Sequence, residues 1–178
     1  RTDPAEAGYG LGASASFVST LIGVYVLSLV VGALLLPVVG RMIGTRGAML
    51  AACLLVALGY GLFLPLHDST AQTLVNMAIA GVGSGALVAA LPAAAAAAAP
   101  ADRTGFVTGM TNTTKTIGGA IASSVFAIAL ASTGSIADVE SGHAPLSGYL
   151  TVWAVCSVTA LVAALSLLVV PRHAFGDH

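Results

Sequence analysis

The chain has 178 residues, of which 57% are apolar and only 7% charged, for a net charge of −1 and a mean hydropathy of +0.99. Soluble domains carry about 25% charged residues, so a water-soluble core is excluded and the chain reads as an integral membrane protein. The balanced charge leaves no basic footprint for nucleic acid and no acidic tail.

A spanning helix needs about 20 mostly apolar residues, and five stretches qualify: about 17–39, 48–66, 72–99, 104–131 and 147–170. They are continuously apolar where barrel strands would alternate over about ten residues, and lipid admits only helices or closed barrels. The expected fold is therefore all-α and integral to the membrane, with five transmembrane helices in a single transmembrane domain over residues 1–178.

In chain order, the opening RTDPAEAGYG has no methionine and no basic-then-apolar leader, so the chain is expected to be a fragment of something longer. The first helix ends in GRMIGTRG and the second in PLHDST, with PADRTG and STGSIADVESGHAP after the third and fourth. Connections this short make neighbouring helices antiparallel. Arg41, Arg46, Arg103 and Arg172 fall on one side, and His67, Asp68, Asp138, Glu140 and His143 on the other. Cytoplasmic loops collect Lys and Arg, which predicts a multi-pass protein of the cell (cytoplasmic) membrane with its C-terminus inside. Tyr149 and Trp153 then open the last helix at the outer interface, where amphipathic rings prefer to lie.

The third helix carries Gln72 and Asn76 one turn apart, then Gly81, Gly83 and Gly85. Amides in a span face a partner or a wet cavity, and both readings stay open for this pair. The GVGSG spacing is not that of a nucleotide loop and no strand precedes it. Helix packing is the expected role of these glycines, as it is for Gly105, Gly109, Gly118 and Gly119. Pro92 is followed by seven alanines and Pro100, which reads as the cytoplasmic end of a helix bent near Pro92.

The fourth helix holds Lys115, the one charged residue inside any of the long apolar stretches. At 100° per residue, Thr104, Thr108, Thr111, Asn112, Gly118, Gly119 and Ala122 lie within about 60° of it. Phe106, Met110, Ile117, Ile121 and Ile128 lie opposite. Lys115 is about 18 Å along the helix from Arg103, too deep for its stem to reach the surface fully. A charge at the helix centre costs roughly 2.5–3.5 kcal/mol, less if it meets water or a carboxylate. No Asp or Glu lies within the five stretches. The threonines and Asn112 are expected to hydrate the lysine, on a substrate pathway or an interface with another helix body.

No enzymatic constellation is visible, and no metal or cofactor is expected. The histidines are in loops or termini, and Cys53 and Cys156 read as small buried apolar side chains.

The loop GRMIGTRGAM and the run PADRTGFVTGMTNTTKTIGGAIASSV resemble the C-terminal half of a major facilitator superfamily transporter, most like the multidrug efflux (drug:proton antiporter) branch. The loop is similar to the family's G-x-x-x-D-R-x-G-R-[RK] gating signature: Gly40 and Gly47 match its glycines, and Arg41 and Arg46 supply cations. Gly44, Thr45, Ala48 and Met49 replace its aspartate, its arginine and its final basic pair. In the later run Lys115 stands where the branch usually has arginine, with Asn112, Thr113, Gly118 and Gly119 at matching positions.

The resemblance implies an incomplete six-helix half that lacks its first helix. The third helix would line a substrate cavity, the first and fourth would face the missing N-terminal half, and the second and fifth would face lipid. It implies secondary active transport of small amphipathic or drug-like molecules by alternating access, as proton-coupled efflux, with any coupling acid in the missing half. Lipid, the substrate and that other half are the expected partners. The alternative readings are a non-transporting membrane scaffold or assembly subunit, and a small channel with Lys115 in a ring.

Overall fold

A computed structural model of the chain describes residues 10–12, 14–132 and 145–170. Their regular structure is helical throughout: α1 (Ala15–Gly61), α2 (Thr70–Ala98), α3 (Thr104–Ser132) and α4 (Leu146–Val169). All four are long and apolar enough to cross a membrane. The acids and histidine placed on the outer side at 138, 140 and 143, and the cation at 172 on which the orientation partly rests, lie outside the described residues.

Five helices are expected from the sequence and four elements are described, because the first two predicted stretches are joined end to end. They meet at Gly44, which divides α1 into two helical limbs and is the one residue of the 47 with non-helical geometry, at φ 76° and ψ 161°. That region is accessible essentially to glycine alone, so the residue that replaces the signature's aspartate is the one that lets the chain bend here. Ser14 starts the element, its hydroxyl accepting from the Phe17 N–H at 3.2 Å.

The bend at Gly44 is a reversal. On α2, Gly85 lies against the Leu29 carbonyl, while Gly83 lies against the Ala52 carbonyl and the Val56 N–H. Along a straight helix Leu29 and Val56 would be about 40 Å apart, whereas Gly83 and Gly85 share one turn. The limb 15–43 therefore runs parallel to α2, with Tyr25 beside Gly81 and Pro37 near Ala93. The limb 45–61 runs back against it, with Gly59 on Ala80.

Close approach of backbones explains this packing. In lipid there is no hydrophobic drive between helices, and small residues let them touch. A Cβ on Gly83 would stand 2.6 Å from the Ala52 carbonyl oxygen and 2.8 Å from the Val56 nitrogen, and one on Gly81 would stand 2.7 Å from the Ser28 Cβ. Most of the buried set is correspondingly small, as at Ala48, Ala52, Cys53, Ala57, Ala80 and Ala90, with Met49 and Phe63 its large members. Large aliphatic side chains such as Ile22, Leu27 and Leu34 point outward.

Helix α4 lies antiparallel along the second limb. The Ser157 hydroxyl donates to the Ala57 carbonyl at 2.8 Å, and Trp153 stacks on Phe63 with ring centroids 4.8 Å apart. Helix α3 is the least embedded of the four, with Ala129 its one buried hydrophobic residue among those described.

Two glycine substitutions separate packing from mere composition. Gly83→Ala should cost about 1–3 kcal/mol of stability through overpacking. Gly105→Ala, whose added Cβ meets nothing within 4 Å, should change stability by no more than about 0.5 kcal/mol. Thermal unfolding of the purified protein in detergent measures both.

Candidate functional site

The polar stripe of α3 is only partly covered by α2, with Asn112, Lys115, Gly118 and Gly119 exposed. Thr104, Thr108 and Thr111 are half-buried on that side, whereas Phe106, Ile117, Ile121 and Ile128 opposite are 56–68% exposed. A cavity of about 570 Å³ opens between the two helices. Thr111, Asn112, Thr114 and Lys115 line it from α3 together with Val107 and Met110; Leu87, Val88, Leu91 and Pro92 line it from α2. Leu87 and Lys115 each stand eleven residues from the connecting turn, about 16 Å deep along their helices. One edge of the polar face thus borders a space within this chain, and Asn112 and Lys115 remain exposed.

Four threonine hydroxyls on α3 bond back into their own helix. Thr108 donates to the Thr104 carbonyl at 2.9 Å, Thr111 to Val107 at 2.9 Å, Thr113 to Gly109 at 3.0 Å and Thr116 to Asn112 at 3.0 Å. Such bonds satisfy each hydroxyl's proton locally and leave oxygen lone pairs facing outward. An ammonium only donates, so these outward lone pairs are the atoms that can accept from Lys115.

Helix α2 runs unbroken through Pro92 to Ala98. Proline has no N–H to give, so the Val88 carbonyl loses its intrahelical donor, and both residues line the cavity that holds Lys115. A second cavity, of about 420 Å³, repeats the combination: Pro37, Gly40, Arg41 and Thr45 face Ala90, Ala93, Ala94 and Ala97.

Gln72 and Asn76 are not part of this site. Asn76 is 2% exposed, and its side-chain amide donates to the Leu66 carbonyl at 2.9 Å, which ties the α1–α2 connection to α2. It lies about 16 Å along α2 from Leu87, and half-buried Gln72 lies further out still. Of the two readings open for this amide, the bond supplies the structural one: the carbonyl at the end of the connection gains a donor.

Among the glycines, Gly81, Gly83 and Gly85 meet neighbouring backbone, as do Gly32 and Gly59, which the sequence reading did not single out. At Gly105, Gly109, Gly118 and Gly119 an added Cβ meets nothing within 4 Å, so none of them is a point of close backbone approach among the described residues. Gly118 borders a third cavity of about 460 Å³, with Tyr60, Cys53 and Cys156.

In the signature-like loop, Gly40 has open space at its Cβ position and Gly47 packs over Ile43. Arg46 reaches across to α4. Its Nε donates to the Leu167 carbonyl at 2.9 Å and its Nη2 to the Leu168 carbonyl at 2.5 Å. A helix C-terminus presents unpaired carbonyls and a partial negative charge, and the planar guanidinium spans two of them at once.

Charge is distributed unequally. Among the described residues, the helices hold Arg41, Arg46 and Lys115 and no carboxylate. Asp68 pairs with His67 at 3.4 Å and Asp102 with Arg103 at 3.7 Å, all in exposed or half-buried connections.

A family model described as Major Facilitator Superfamily matches residues 4–177, nearly the whole chain. The chain belongs to the major facilitator superfamily. Among solved structures it is similar to the inward open conformation of the xylose transporter XylE from E. coli, with a TM-score of 0.72 and 18% identity. At that identity the likeness is one of fold. It covers 91% of this chain and 40% of the xylose transporter, so the chain spans well under half the length of that relative. No curated protein matches the chain.

The Arg46 contact sets a test on this superfamily member. Arg46→Met should lower stability by about 1.5–3 kcal/mol, the range of a hydrogen bond to a charged group. Arg46→Lys should recover only part of that, since an ammonium lacks the fork; denaturant titration in detergent reads the difference.

Proposed function

We propose that the chain is one part of a secondary active transporter that moves small amphipathic or drug-like molecules across the membrane by alternating access. Membership of the major facilitator superfamily supports transport over catalysis. The single observation that carries the reading is the α2–α3 cavity: apolar on the α2 wall, mixed on the α3 wall, and holding the only intramembrane lysine among the described residues. Pockets of 300–1,000 Å³ suit drug-sized ligands. In this reading the remainder of the protein supplies the other half of the pathway, and the exposed faces of α3 and of the limb 15–43 meet it. The two limbs of α1 cross the membrane separately, as a hairpin, within a six-helix C-terminal half.

Proton-coupled efflux is the proposed direction and motive force, by similarity to the multidrug branch. The described helices lack a carboxylate to carry the proton, so the coupling acid belongs to the remainder of the protein. The cytoplasmic face is taken to be the side of Arg41, Arg46 and Arg103, which places the C-terminus inside.

Transport is measured with the full-length protein in vesicles. An imposed proton gradient should drive accumulation of a drug-like substrate, and Lys115→Met should lower that flux about tenfold at unchanged protein level. Flux equal to that of protein-free vesicles overturns the transport reading; wild-type flux in the variant removes Lys115 from the pathway.

A further inference from the structure

We propose that the α2–α3 cavity takes an amphipathic organic anion, its charged group set against the Lys115 ammonium and its apolar body along Leu87, Val88, Leu91 and Pro92. This rests on the transport reading, whose substrate class it names.

Charge is the first ground. An ammonium at this depth needs either water or a negative partner. Both described carboxylates are in connections, Asp68 with its side chain 86% exposed and Asp102 with its side chain 77% exposed. Asp102 is about 20 Å from Lys115 along the α3 direction. The Val88 carbonyl released by Pro92 can solvate a cation from within the cavity wall, but a neutral dipole does not cancel its charge. The site is thus tolerable when empty and electropositive, which favours a negative ligand.

Shape and polarity are the second ground. The wall facing Lys115 is made of four apolar side chains, and about 570 Å³ is far more than an inorganic anion fills. One cation matches one negative group, and the Asn112 amide beside it offers a further donor. The three together describe a monoanion with a hydrophobic body. Lys115 borders this space from an exposed position on α3, within reach of a ligand held there.

The test uses two probes that differ by one sulfonate, 1-anilinonaphthalene-8-sulfonate and N-phenyl-1-naphthylamine. Equilibrium binding to the full-length protein in nanodiscs is measured without a gradient and corrected with empty nanodiscs. The wild type should prefer the sulfonate by about tenfold or more, the scale of one charged hydrogen bond. Lys115→Gln should bring the ratio of affinities close to one, and Lys115→Arg should keep it. No preference in the wild type overturns the proposal. So does an unchanged ratio in Lys115→Gln, including parallel loss of both probes, which assigns Lys115 to an ion pair with the rest of the protein. Preference for the sulfonate without flux in vesicles sinks the transport reading and leaves the anion site standing.

Discussion

The contact of backbone on backbone along α2 is the constraint on which the rest of this structure depends. Lipid tails solvate leucine as well as another helix does, so helices associate through van der Waals contact and a few hydrogen bonds. Each atom pair contributes only about 0.1–0.2 kcal/mol, and the sum grows as the axes approach. Gly81, Gly83 and Gly85 let both limbs of α1 come that close, and Gly32 and Gly59 return the fit from the other side. With α2 gripped between two limbs its rotation is fixed, and that rotation is what turns Leu87, Val88 and Leu91 toward α3.

Apolar length was the most legible property of the chain, because the bilayer imposes it directly. The glycine triplet was legible too, since its spacing fits no phosphate loop. Gly32 and Gly59 were not, because a lone glycine in an apolar run looks the same facing lipid or a carbonyl. Gly44 stood out as a departure from a signature; the positive φ that explains it comes from the fold. Asn76 shows the limit on the polar side. An amide in a span is equally suited to a cavity or to a stray carbonyl, and only the position of Leu66 decides. Of the apolar cavity wall only Pro92 stood out, and Leu87, Val88 and Leu91 had no signal of their own, whereas Lys115 was marked by its cost.

The cations divide the molecule by function. Arg46 holds two terminal carbonyls of α4 in fixed geometry, where a planar fork is suited to a permanent contact. Lys115 is a compact charge on a flexible stem in a roomy cavity, suited to a partner that comes and goes. The threonines beside it keep their protons inside the helix, so α3 carries its polarity without offering donors that lipid cannot satisfy.

Gly44 has a mechanical consequence. A connection of many residues would let the limbs 15–43 and 45–61 tilt independently, absorbing motion as slack. A single non-helical residue between two hydrogen-bonded segments absorbs almost none, so the pair behaves as a bent lever. Any rocking of the first limb is handed at once to the second, and through Arg46 to the end of α4. A one-residue elbow thereby makes this edge of the body stiff.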